Sequence, residues 1–252
     1  MYPYEMLLSI TKINFMSTKK LSVTGNELMT APTSSSVSRR SFLSYVGAGS
    51  ALLATAGIVS SCNKDDNPSN GGVNLGSGDV GILNYAYALE QLEAAFYVKV
   101  IMSPYSGITA NEQAFLTDIR DHEVAHRNFF KAAISAAGAT PLQDLEVNFS
   151  SIDFGSRASV LATAKAFEDL GVTAYNGAGK LLTSPAYLTI AGKIVSVEAR
   201  HAALIADLIS DGTFADTTDA NGLDMARTPA QVLDIAKTYV VTKLDASNLP
   251  TS

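Results

Sequence analysis

Residues 121–130 read DHEVAHRNFF, and residues 196–203 read SVEARHAA. The three histidines of the 252-residue chain, His122, His126 and His201, all fall in these two stretches. Both stretches carry the pattern Glu-x-x-His: Glu123 with His126, and Glu198 with His201. On an α-helix, residues three apart lie on one face, so each copy sets a carboxylate beside an imidazole. A chain so poor in histidine uses it twice in the same way, and one explanation has to serve both copies.

Working outward, each copy has an upstream companion. ALEQLEAAFY (88–97) places Glu90 seven residues before Tyr97, and AFEDLGVTAY (166–175) places Glu168 seven before Tyr175. The surrounding periodicity is helical. A first helix starts at Asp79, keeps Ile82, Leu89, Phe96 and Val100 at heptad-like spacing with Ala86 beside them, and breaks at SPYSG, 103–107. A second starts near Asn111 as N-cap, lines up Phe115, Ile119, His126 and Phe130, and ends at Gly138 and Pro141. Residues 139–156 lack a period and read as a long connection. A third helix spans about 157–182, loosened by Gly171, Gly177 and Gly179; Pro185 opens a fourth that ends near Asp211-Gly212. Thr228-Pro229 opens a short fifth that runs through Val241. No strand-like alternation competes.

Helix, short loop, helix, long crossover, helix, short loop, helix is the order of an all-α four-helix bundle with one crossover over residues 79–210, followed by a C-terminal extension, 211–252, with a short helix. Glu90 lies 13 residues before Ser103 and Glu123 lies 12 after Asn111, which puts them at one height in an antiparallel pair. Glu168, 17 before Pro185, and Glu198, 13 after it, match more loosely.

DHEVAHRNFF, VSVEARHA and LEQLEAAFY, within a stretch of about 79–210, resemble ferritin-like-domain proteins, especially the exported bacterial group related to plant desiccation-related proteins. The resemblance implies a ferritin-like bundle in which two lone glutamates and two Glu-x-x-His pairs hold a dinuclear metal centre: Glu90, Glu123, His126, Glu168, Glu198 and His201. Physical chemistry agrees with it. Glu198 and His201 share a stripe with Ile194, Ile205 and Leu208, and an unpaired carboxylate there costs several kcal/mol or stays protonated. Four glutamates at one level repel each other, and two divalent cations balance their charge. The bland alternative is that each Glu-x-x-His is a surface pair. Two copies, two spaced partners and matched depths weigh against it.

In the first helix Glu93 competes with Glu90. Helical phase favours Glu93; the repeat with Glu168 and Tyr175 selects Glu90. His122, one turn before His126, reads as a core or rim histidine or as an added ligand or supporting donor. Tyr97 and Tyr175 read as hydrogen-bond partners of ligands or as core aromatics. Asp118, Asp121 and Asp207 are candidate acceptors for the outer nitrogens of the ligand histidines.

Mixed carboxylate and imidazole ligands suit iron or manganese better than zinc. The resemblance implies redox chemistry with a small oxidant, peroxide or O2. Its alternative is a non-catalytic, stress-protective envelope bundle with structural or no metal. An iron-storing cage fits poorly with a tethered N-terminus.

The leader carries its own signals. SRRSFL, with Arg39 and Arg40 ahead of a run without charge up to Lys64, resembles a twin-arginine export signal. Val59-Ser60-Ser61-Cys62 reads as a lipobox, and the expectation is a lipoprotein of the cell envelope, periplasmic or on the outer surface, with a membrane lipid on Cys62; the alternative reading of the apolar run is an uncleaved membrane helix. Lys64-Asp65-Asp66 resembles an acidic surface-export tag. Residues 1–61 are then the signal region and 62–78 a flexible tether. Met16 and Met29 are alternative starts. Cys62 is the one cysteine, so no internal disulfide forms. Residues 1–61 hold 5 of the 18 basic and 2 of the 24 acidic residues, leaving 13 and 22 and a net charge of −9. An acidic body with no basic stripe argues against nucleic acid as a partner.

Overall fold

A computed structural model describes residues 71–251. The expected export signal, the expected lipobox at Cys62 and the expected tether up to residue 70 lie outside the described residues. Five helices follow in order: α1 Gly78–Met102, α2 Ala110–Ala136, α3 Arg157–Gly179, α4 Pro185–Ile209 and α5 Pro229–Ala236. Short turns make α1 with α2, and α3 with α4, the two closely packed antiparallel pairs. Residues 137–156 cross from one pair to the other.

The helix ends have local causes. Thr109, rather than Asn111, caps α2: its hydroxyl accepts from Glu112 N–H while the Glu112 carboxylate accepts from Thr109 N–H, a capping box. Ser156 and Ser184 cap α3 and α4, and Pro185 occupies the first turn of α4, where no N–H is needed. Three expected ends shorten. α3 stops at Gly179, because Leu181 and Leu182 close turns onto Ala178 and Gly179. α4 stops at Ile209, and α5 at Ala236, five residues before Val241. With α3 ending at Gly179, Glu168 stands 11 residues from its helix end, against 13 for Glu198, so the depths match better than the sequence count gave.

The buried face of α2 also differs from expectation. Phe115 is 38% exposed, while its neighbour Leu116 is fully buried. The inward stripe is Glu112, Leu116, Ile119, Glu123, Phe130 and Ile134. α1 has no stripe at all: every residue from Gly81 to Ala94 is buried. The crossover covers its outer side, with Asn84 Oδ1 accepting from Leu142 N–H (3.3 Å) and Gln91 Oε1 from Leu145 N–H (2.8 Å). Phe149 and Phe154 of the crossover pack on Phe96, and Tyr239 of the tail packs edge-on against Phe167 at 4.9 Å between centroids.

The C-terminal extension is a strap. Arg227 N–H donates to Thr173 O (3.0 Å), its guanidinium donates to Thr173 Oγ1 (2.8 Å), and its carbonyl oxygen lies 1.7 Å from where a Cβ on Gly177 would stand. Only glycine lets the strap lie so close to α3. Further on, Val240 bridges Val147, and a minimal parallel pair, β1 Val73–Asn74 with β2 Leu244–Asp245, ties the strap to the start of the domain. These short pairings depart from the expectation of no strand. Among the described residues no helix is long and apolar enough to cross a membrane.

Candidate metal centre

Each helix of the bundle brings candidate ligand side chains to one level. Glu90 comes from α1, Glu123 and His126 from α2, Glu168 from α3, Glu198 and His201 from α4. The four glutamates are fully buried. They form two overlapping groups of four donors, each group within 4.8 Å: Glu90, Glu123, His126 and Glu198; and Glu123, Glu168, Glu198 and His201. Glu123 and Glu198 belong to both.

The oxygens divide accordingly. His126 Nδ1 lies 3.4 Å from Glu90 Oε2, 3.6 Å from Glu123 Oε2 and 3.0 Å from Glu198 Oε1. His201 Nδ1 lies 2.9 Å from Glu123 Oε1, 3.4 Å from Glu168 Oε2 and 4.0 Å from Glu198 Oε2. Glu123 and Glu198 thus offer one oxygen to each side, as bridging carboxylates do. The remaining oxygens of Glu90 and Glu168 are held by phenols in a crossed pattern. Tyr97 of α1 donates to Glu168 Oε1 of α3 at 2.5 Å, and Tyr175 of α3 donates to Glu90 Oε1 of α1.

Charge is strained in this pocket. Burial pushes Glu90 up to about 7, and Glu123 adds to the rise while His126 opposes it. Burial, then the neighbouring carboxylates, hold Glu93 and Glu198 well above the ordinary range; burial also raises Glu168. Glu123 alone goes down, to about 2: burial works against its charge, but His126 and His201 outweigh it. Burial disfavours a charged imidazole too, yet the carboxylates raise His126 to about 12 and His201 to about 10. Without a cation, protons on these imidazoles balance part of the negative charge.

The donor set fits metal ions. Ten buried side-chain polar atoms among the described residues lack an aligned hydrogen bond, and eight of them are Glu90 Oε2, both oxygens of Glu123 and of Glu198, Glu168 Oε2, His126 Nδ1 and His201 Nδ1. Such a concentration of inward-facing donor atoms without aligned protein partners is what a metal-binding pocket offers. Cis donors at about 2.1 Å from an octahedral ion sit about 3.0 Å apart, close to the spacing from each imidazole nitrogen to its nearest carboxylate oxygens.

Other candidates fall elsewhere. Glu93 is buried beside the cluster but outside both groups. A Cβ on Gly171 would meet Glu93 Oε1 at 3.0 Å and Glu198 Oε2 at 3.4 Å, so the glycine makes room for this fifth carboxylate. Asp121 pairs with Arg120, Asp207 accepts from Gly212 N–H, and Asp118 makes no hydrogen bond to a site histidine. The partner of His201 is instead His122, with Nδ1 2.9 Å from His201 Nε2, ring planes 10° apart and centroids at 5.1 Å, an edge-to-edge pair.

A four-helix bundle with one crossover and a carboxylate–imidazole cluster across its midsection is the architecture of metal-binding ferritin-like proteins. The sequence model of the ferritin-like domain matches residues 78–211, over half of the chain, and the chain belongs to that family. A search of curated proteins found no match.

Proposed function

We propose that this protein carries a dinuclear iron or manganese centre held by Glu90, Glu123, His126, Glu168, Glu198 and His201, and uses it for redox chemistry on peroxide or O2. The observation that carries the reading is the pair of overlapping donor groups that share Glu123 and Glu198, with eight orphaned lone-pair atoms turned inward. Iron or manganese in such a ligand set supplies one-electron redox cycling toward small oxidants. The chain's own residues account for the rest. Tyr97 and Tyr175 fix one oxygen of Glu168 and of Glu90 and leave the other free for a cation. The side chain of His126, 13% exposed, is the least buried of the six, and the glutamates are sealed. A reactant that enters such a site is small. An apolar void of about 30 Å³ beside Tyr175, lined also by Leu89 and Phe130, has room for one small molecule. Disproportionation of peroxide to water and O2 needs no other reductant.

The leader supports export by a twin-arginine route and anchoring through a lipid on Cys62. That route carries folded proteins, so metal loading can precede export.

Protein purified from its native host should contain two redox-active ions per chain and consume peroxide, and Glu123→Ala should lose both. Full occupancy without turnover of peroxide or O2 favours the structural-metal alternative. A Glu123→Ala variant that folds and melts like the parent, with metal in neither, ends the metal reading. Cys62→Ser should move the protein from the detergent phase to the aqueous phase.

A further inference from the structure

The two halves of the bundle repeat, but two positions break the repeat, and both breaks fall on one side of the cluster. His122 precedes Glu123; the matching residue before Glu198 is Val197. Glu93 follows Glu90 by three; the matching residue after Glu168 is Gly171.

His122 acts on His201, not on His126. A neutral imidazole carries one N–H. If His201 offers Nδ1 to a cation, its proton sits on Nε2 and is donated to His122 Nδ1, 2.9 Å away. The two rings lie within 10° of parallel and edge to edge, so the lone pair of that Nδ1, which lies in its ring plane, faces the N–H. His126 has no such support: its Nε2 makes no hydrogen bond among the described residues, and its side chain is 13% exposed against 5% for His201. The second break adds a carboxyl group to the same side, one that a cation there would ionise. Glu93 Oε1 and Glu198 Oε2 both approach the empty Cβ position of Gly171, and Glu198 Oε2 is the oxygen of that bridging carboxylate turned toward His201.

We infer that the two metal positions are unequal by construction: His122, a positioning residue, and Glu93, an added carboxylate, make the Glu168–His201 position the tighter one, which fills first, and leave the Glu90–His126 position to fill second. This rests on the dinuclear reading above. Ordered filling has a chemical use. The held position keeps its ion, and the looser one, nearer solvent, is where a small oxidant can displace a weak ligand.

The test is a titration of the metal-free full chain with Mn²⁺, followed by calorimetry and by electron paramagnetic resonance. Two resolved steps are expected, the first giving an isolated six-line signal and the second a coupled one. His122→Ala should weaken the first step by about 10–100-fold, the usual cost of losing a partner behind a ligand histidine. His122→Gln, which keeps an acceptor there, should recover much of it, and Val197→Ala should change neither step. Glu93→Gln should weaken the first step at unchanged fold by circular dichroism. Glu90→Gln should keep the first step and lose the second. A single unresolved step with a coupled signal from the first equivalent overturns the inference, as does an unchanged first step in His122→Ala, or loss of the first step in Glu90→Gln. Failure of the unmodified chain to bind Mn²⁺ at all overturns the dinuclear reading itself.

Discussion

The phenol of Tyr97 serves the glutamate of the opposite helix pair, not the one two turns before it in its own helix. Tyr97 donates to Glu168 and Tyr175 to Glu90, so each half of the bundle holds a glutamate of the other in place. Removing one hydroxyl leaves a buried carboxylate oxygen without its donor, at a cost of about 1–3 kcal/mol. Tyr97→Phe should therefore lower the urea unfolding free energy of the metal-free protein by that amount, and Tyr175→Phe should do likewise. A change below about 0.5 kcal/mol, the size of an ordinary surface substitution, would mean that the phenols are packing groups only. At this scale much was legible. The repeated Glu-to-Tyr step pointed to Glu90, the member of the donor groups, ahead of Glu93. The crossing was not legible, because helical phase says which face a side chain occupies but not which helix it meets there. His122 was ambiguous for the same reason: its partner, His201, is chosen by the packing of α2 beside α4.

Two glycines on neighbouring elements make opposite predictions. Gly177 sits in α3 under the backbone of Arg227, where a Cβ would be 1.7 Å from the carbonyl oxygen. Backbone cannot yield as a flexible side chain can, so Gly177→Ala should either cost about 3 kcal/mol or more, or release the strap. Limited proteolysis should then cut the variant within 211–228 faster than the parent. Gly192 in α4 is exposed, and a Cβ there meets nothing within 4 Å. Gly192→Ala should stabilise by about 0.5–1 kcal/mol through helix propensity alone, visible as a raised melting temperature. Nothing in a single sequence separates these two glycines. The first is demanded by a segment fifty residues further on, which has no periodicity of its own. The helix ends show the same limit. Leu181 and Leu182 continue the apolar period of α3 but are spent on the turn into α4. α2, α3 and α4 were readable because each buries one apolar face, α1 because its apolar run is nearly unbroken, and the crossover because it has no period; all of these patterns are local.

For the whole molecule, the protonation of the cluster sets how stability responds to pH, and a cation reverses the response. In the metal-free chain Glu90 is raised to about 7 from 4.5, and Glu93 and Glu198 are well above 4.5. Folding therefore retains protons that the unfolded chain releases. The stability these groups contribute is complete below about pH 4.5 and is lost as pH rises, for Glu90 through about 7 and on the order of 3 kcal/mol in total. His126 and His201 act in the same direction. Raised from 6.5 to about 12 and about 10, they contribute fully below pH 6.5 and lose that contribution as pH climbs through those values. Glu123, lowered to about 2, acts the other way: its contribution is present above about pH 4.5 and lost as pH falls through 2. The metal-free protein should thus be most stable near pH 5 and melt at lower temperature at pH 8. A divalent cation takes the place of these protons, so its binding releases them and tightens as pH rises. With excess Mn²⁺ the order should invert, and the protein should melt higher at pH 8 than at pH 5, by an increment that grows with free metal concentration. Thermal melts with chelator and with Mn²⁺ across pH 5–8.5 measure both slopes. A metal-free chain that gains stability from pH 5 to 8, or a slope that Mn²⁺ leaves unchanged, would mean that these carboxylates and imidazoles are not charge-coupled in the folded bundle.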